Sequence, residues 1–325
     1  TRHVFSLPTT TQFTLGTFIA PTLLEITALT ELTHEVFGPV LHVLRYRRDR
    51  LPQLLDDINA LGYGLTLGIH SRIDETIHTI TTRVHVGNIY VNRNIIGAVV
   101  GVQAFGGEGK SGTGPKAGGP LYLKRLQRHP TIHLTEATPA RVLPALTDFL
   151  QWAKKQTYPH LLRLIELYQQ ETLFGRVLPC LGPTGESNTL CFTGRGMIAC
   201  IAEQEDVLLN QLAAVLATGN HALIDTHWTA LINTLPTSVQ DCIQQHENIA
   251  TAEQPVTLAL VQSNVFHVLR PLFAARDGAL IPVIATNSEE VIASWRLLAE
   301  RALCINTTAT GGNASLMTLE DKNES

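Results

Sequence analysis

The sequence predicts an α/β fold, with parallel sheet flanked by helices in two successive regions. Three observations carry this. Short apolar runs alternate with segments of helical spacing over residues 17–92, and the alternation resumes over 197–308. A stretch from His129 to Pro144, bearing Pro, Thr and Ala without periodicity, separates the two regions. Ahead of it lies a glycine-dense loop, Phe105–Gly119, in which seven of the fourteen residues from Gly106 to Gly119 are glycine.

In chain order, Thr17–Ile26 contains an apolar run, and Pro39–Tyr46 reads as a buried strand. Leu51, Leu54, Leu55, Ile58 and Leu61 share one helical face, and Gly62 ends that helix. Leu65–Ile69 is a short strand, Asp74–Val84 a helix, and Gly87–Asn92 a further strand. Beyond the boundary, Leu146–Gln170 reads as helical. Met197–Ala202 is a strand, Glu205–Ala217 a helix stopped by Gly219-Asn220, and Ala222–Ile224 a strand. Val256–Val261 and Ala279–Ala285 are strands on either side of a helix over Asn264–Ala275. Ser288, followed by Glu289 and Glu290, has the look of a helix start, so a helix is expected over Ser288–Ala302, with Ala302–Thr308 strand-like after it.

The glycine loop cannot be regular helix or strand, because each glycine adds backbone entropy that folding must remove. It is either a flexible linker or a device that brings backbone N–H groups close to a small anion. Scarce serine, the stiffening Pro115 and the strand before it weigh against the linker. No G-x-G-x-x-G stands at a strand-to-helix turn in the second region, which gives no support to a dinucleotide site there.

The chain has 325 residues, 44% apolar and 16% charged, a globular composition for one large or two ordinary domains. A formal charge of −4 gives no reason to expect a nucleic-acid surface. Arg45, Arg47, Arg48 and Arg50, interrupted by Asp49, read as a solvated turn in preference to a phosphate patch. Cys180, Cys191, Cys200, Cys242 and Cys304 form no C-x-x-C pair and have no histidine at zinc-ligand spacing, so no metal site is expected. Their odd number fits free thiols in a reducing compartment. No signal peptide or membrane-length apolar run is present, and a cytoplasmic location is expected. The chain opens on Thr1 and Arg2–Pro8 reads as interior sequence, so a piece of a longer polypeptide is expected.

Glu35-Val-Phe-Gly-Pro39 precedes a strand. A carboxylate there can accept from ribose hydroxyls, and the aromatic offers a face to a flat ring. Taken alone, the pattern is equally a strand-entry turn with a surface Glu. Followed in order by Tyr63-Gly-Leu65, Gly87–Asn92, Phe105-Gly-Gly107 and Ser111-Gly-Thr-Gly114, it resembles the C-terminal half of the aldehyde dehydrogenase superfamily. The resemblance implies that Glu35 hydrogen-bonds the nicotinamide ribose of NAD and that Phe37 lies beside the nicotinamide. Gly112–Pro120 resembles the anchor loop of the L-glutamate γ-semialdehyde (1-pyrroline-5-carboxylate) dehydrogenases. It implies that Gly118 and Gly119 offer N–H groups to the substrate α-carboxylate, that Leu126 lies against its aliphatic part, and that Ser111 shapes the loop. A turn hydroxyl bonded to local backbone is an equal reading for Ser111.

Leu181–Asn188 and Asn306–Leu319 resemble the C-terminal region of the proline utilization A family, which joins an FAD proline dehydrogenase to the semialdehyde dehydrogenase. The resemblance implies a second, non-catalytic aldehyde-dehydrogenase-like Rossmann-type domain and a terminal lid motif. The expected division is 1–130 for the C-terminal part of the dehydrogenase domain, 131–174 for linker and helices, 175–302 for the second α/β domain, and 303–325 for lid and tail. It also implies an upstream part of the same polypeptide as partner, a homo-oligomer, and, in the full-length protein, a location peripheral to the inner membrane. The family's nucleophilic cysteine lies upstream of the Glu-x-Phe-Gly-Pro motif, and no cysteine precedes Glu35 here. The chain alone is therefore expected to be inactive. The competing expectation is a non-catalytic scaffold that docks on a partner dehydrogenase.

Overall fold

Most expected strands and helices form where the apolar spacing places them in the computed structural model, which describes residues 2–7, 16–127, 134, 137–156, 158–250, 252 and 254–308. The described residues fall into two compact units, Thr1–Gly62 with His78–Val84, and Tyr63–Ile77 with His85–Ser325. The expected boundary at 130/131 lies inside the second unit.

In the first unit, β1 (Arg2–Ser6) pairs antiparallel with β2 (Thr22–Ile26), which pairs parallel with β3 (Val40–Leu44). β3 is not buried: Leu41 is exposed and its neighbours are half-buried. Helix α1 (Leu51–Leu61) ends at Gly62, whose φ of +76° makes a left-handed cap. The Asp56 carboxylate of α1 takes both Arg83 guanidinium contacts, at 2.9 and 2.6 Å.

In the second unit, β4 (Tyr63–Gly64) pairs with β7 (Glu108–Gly109). Strand β5 (Thr66–Ile69) leads through α2 (Asp74–Arg83), which straddles the two units, to β6 (Asn88–Val91), parallel to β5. Helix α3 (Pro120–Leu126) follows the glycine loop. The single helical run expected over Leu146–Gln170 is two helices, α4 (Pro144–Gln156) and α5 (Pro159–Glu171). Pro159 lacks the N–H that a continuous helix would need, so it starts the second helix instead.

Strands β8 (Val177–Cys180) and β9 (Glu186–Gly194) come next. Then β10 (Met197–Ile201), α6 (Glu205–Ala217), β11 (His221–Asp225), the short α7 (Thr229–Ile232) and α8 (Thr237–Gln240), β12 (Ile243–His246), β13 (Val256–Gln262), α9 (Phe266–Ala274) and β14 (Val283–Thr286) build a parallel sheet. Its order, β12-β11-β10-β13-β14, is that of a Rossmann-type sheet with its reversal between β10 and β13. One face is covered by α4, α5 and α6, which is buried from Val207 to Ala217, around Phe149, Ile165 and Leu212, and the other by Phe273 of α9.

The expected helix over Ser288–Ala302 does not form. Leu298–Asn306 is strand β15, the centre of the sheet β5-β6-β15-β9-β8. It pairs along nine residues with β9, from Leu298↔Gly194 to Asn306↔Glu186, and runs parallel to β6. This non-local pairing outweighs the helix preference of Leu, Ala, Glu and Arg. The sheet thus combines strands from both sides of residue 130.

Candidate functional site

Glu35 and Phe37 lie in the first unit, on the irregular segment that enters β3. Pro39 O accepts from Thr22 N–H at 2.9 Å, which ties this segment to β2. Phe37 is 91% exposed, and Glu35 is exposed two residues before it. An open aromatic face beside an accessible carboxylate fits the nicotinamide-ribose end of a dinucleotide in its chemistry.

The other expected residues lie in the second unit. Phe105 and Ala117 exchange both backbone hydrogen bonds at 2.9 Å, so the glycine loop is closed at its base. Ser111 Oγ accepts from Gly64 N–H at 3.1 Å, and β4–β7 pairing holds the loop's first half. Gly118 has φ +73° and no atom within 4 Å of where a Cβ would stand, so its backbone is approachable. Gly119 is different. Its N–H donates to Lys116 O at 3.1 Å, and a Cβ there would stand 2.9 Å from Glu300 Oε1. In this conformation Gly118 is the more accessible member of the pair. Leu126, at the far end of α3, is 71% exposed and lies roughly 10 Å of helix from Gly119.

Sequence reasoning missed the network that braces this loop. Lys116 is 3% exposed, and its Nζ donates to Asn88 Oδ1 at 2.9 Å and to Gly106 O. Burial lowers its pKa to about 8, against the opposing pull of Glu300 and Glu108. Asn88 in turn accepts from Gly106 N–H at 3.1 Å and donates to Ala104 O at 2.9 Å. Glu300 Oε2 accepts from Lys116 N–H at 2.7 Å, while burial pushes its carboxyl pKa up. Arg301 grips Glu108 at 2.7 and 3.1 Å, with both side chains largely buried. A lysine inside a glycine-rich loop was the available signal. Glu300 gave none, because its segment reads as helix.

All five cysteines are free thiols, and burial pushes each of their pKa values up. Cys304 has the richest surroundings, with Arg93 at 3.1 Å and Gln103 at 3.3 Å, yet burial still outweighs the guanidinium. None has the lowered pKa of an activated nucleophile. The crevice where the second sheet reverses is filled from within. Gln262 Oε1 accepts from the N–H groups of Glu203 and Gln204 at 2.7 and 3.2 Å, ahead of α6. Those amides stand where a dinucleotide pyrophosphate sits in folds of this topology.

Residues 6–132 match the model of the aldehyde dehydrogenase family. Across nearly its whole length the chain is similar to the bifunctional protein PutA of Escherichia coli (strain K12), at 47% identity over 94% of this chain and 24% of that protein. A 1-pyrroline-5-carboxylate dehydrogenase of Bacillus subtilis (strain 168) is 40% identical over 33% of this chain and 21% of its own length. Among solved structures, proline utilization A (PutA) from Corynebacterium freiburgense matches the fold with a TM-score of 0.62 at 23% identity, over 88% of this chain and 27% of that one. The chain spans about a quarter of the length of the PutA relatives. Among the described residues no helix is long and apolar enough to cross a membrane.

Proposed function

We propose that this chain serves as the C-terminal part of an NAD-dependent L-glutamate γ-semialdehyde (1-pyrroline-5-carboxylate) dehydrogenase, in a longer polypeptide that oxidises proline to glutamate. The glycine loop carries this reading. It is pinned at Phe105–Ala117, braced beneath by Lys116 and Glu300, and open at Gly118, a shape suited to receiving a carboxylate on backbone N–H groups.

In this reading Gly118 and Gly119 hold the substrate α-carboxylate, Leu126 borders its aliphatic part, and Ser111 keeps the loop in shape. Glu35 and Phe37 receive the ribose and nicotinamide of NAD, which accepts the hydride when bound. The upstream part of the polypeptide brings the nucleophilic cysteine and an FAD-dependent proline dehydrogenase. The working enzyme is a cytoplasmic homo-oligomer at the inner-membrane surface. The terminal lid motif, Asn306–Leu319, lies mostly outside the described residues. The five thiols, each with its pKa raised by burial, support the further reading that this chain has no dehydrogenase turnover of its own. A docking scaffold is not favoured, because the cofactor and anchor motifs would then have no use.

The test is a chimera in which this chain replaces the matching segment of the E. coli PutA relative. NAD-dependent oxidation of glutamate semialdehyde should persist. Loss of that activity while the flavin half still oxidises proline overturns the reading. The chain assayed alone should give no NADH, and measurable turnover would refute its dependence on an upstream cysteine.

A further inference from the structure

Arg195 stands in the short turn between β9 and β10, where the sheet that carries Asn88 and Glu300 beneath the glycine loop meets the parallel sheet of the second region. The turn is fixed on both sides of Arg195. Gly196 N–H donates to Asn220 Oδ1 at 2.9 Å, and a Cβ on Gly194 would stand 2.6 Å from Gly219 O. Asn220, 2% exposed, also donates to Leu297 O at 2.9 Å, which ties the turn to the segment just before β15.

From this platform the Arg195 side chain reaches the glycine loop. Its Nε donates to Arg296 O at 2.8 Å and its Nη2 to Thr113 O at 2.7 Å. The loop makes room for the guanidinium at Gly114, where φ is +66° and a Cβ would stand 3.1 Å from Nη2. The rest of this outer span is weakly held: Gly112 N–H reaches Gly109 O at 3.4 Å, and Pro115 has no N–H to donate. Just beyond it, Lys116 N–H is fastened to Glu300 Oε2. The chain is thus gripped on either side of Gly114 and Pro115, shortly before Gly118.

Among the described residues, no carboxylate forms an ion pair with Arg195. Burial pushes its pKa down, and Glu108 and Glu300 pull the other way. The side chain is spent on two neutral carbonyls from distant segments. A rigid fork of donors serves two acceptors at a fixed separation, which the single ammonium of a lysine does poorly.

We propose that Arg195 is a positioning residue for the dehydrogenase reaction, holding the anchor loop through Thr113 O in the shape that presents Gly118 N–H to the substrate α-carboxylate. The inference rests on the reading of the loop as a carboxylate anchor. It gives the second α/β region, which supplies neither nucleophile nor cofactor contact in that reading, a part in substrate affinity.

Steady-state kinetics of the chimera that carries this chain in the E. coli PutA relative provides the test. Arg195→Met should raise the KM for glutamate semialdehyde about tenfold, the worth of one charge-assisted hydrogen bond. The kcat should stay within about twofold and the KM for NAD should not move, because neither the nucleophile nor the cofactor contacts depend on Thr113. Arg195→Lys, with one donor head for two carbonyls, should give a smaller rise, and it carries the test if the Met variant does not fold. An unchanged semialdehyde KM in the folded variants overturns the inference, as does a kcat and NAD KM that worsen alongside it. Gly118→Val keeps the two readings apart. If it raises the KM while the Arg195 variants do not, the loop anchors substrate without Arg195; if neither does, the anchor reading fails as well.

Discussion

The backbone N–H of Lys116 donates to Glu300 Oε2 at 2.7 Å, joining residues 184 positions apart. The glycine loop is thereby fastened to the first half of β15, and its shape depends on a strand far along the chain from it. The two side chains are buried together, and burial pushes the pKa values in opposite directions, down for Lys116 and up for Glu300.

Lys116 should make stability rise with pH. Its folded pKa of about 8 lies below its ordinary value of 10.5, so between these limits the unfolded chain binds more protons than the folded one. Stability is reduced by a constant amount below pH 8 and recovers as pH climbs to 10.5, by on the order of 3 kcal/mol. Urea midpoints measured across this window for the chain and for Lys116→Met should diverge, the parent gaining on the variant. Parallel curves would show that the buried amine does not titrate there.

Arg301→Met should destabilise the chain by about 3 kcal/mol, because it strands the buried Glu108 carboxylate. Adding Glu108→Gln should recover most of the loss. A double-mutant cycle by chemical denaturation reads the coupling, and simple additivity would show that the pair contributes no interaction.

Gln262→Ala should lower stability by about 1–2 kcal/mol, since the amides of Glu203 and Gln204 lose their acceptor. A shifted urea midpoint with an unchanged denaturant slope is the expected signature. An unchanged midpoint would mean that water replaces the side chain at no cost.

Gly118→Val tests the anchor in the chimera. A β-branched residue at φ +73° strains the backbone by about 1–2 kcal/mol and narrows the approach to the N–H groups. The KM for glutamate semialdehyde should rise more than kcat falls, because the nucleophile is untouched. Gly119→Val is the poorer probe, since its Cβ would press on buried Glu300 and disturb the loop itself.

Local patterning was enough for α1, α6, β10, β11 and β13, whose apolar spacing and glycine stops act within a few residues of chain. It was also enough to single out the Glu35-to-Pro39 segment and the glycine loop, because those motifs are contiguous. The fate of Leu298–Asn306 was not local. Its second half, from Ala302, reads as strand, but Leu298–Arg301 favour a helix, and only the nine-residue pairing with β9 makes them strand. The burial of Lys116, the carboxylate beneath Gly119, the crevice filled by Gln262 and the hold of Arg195 on Thr113 share that dependence. Each arises from desolvation or pairing between groups far apart in sequence, and neither quantity exists until the chain has folded.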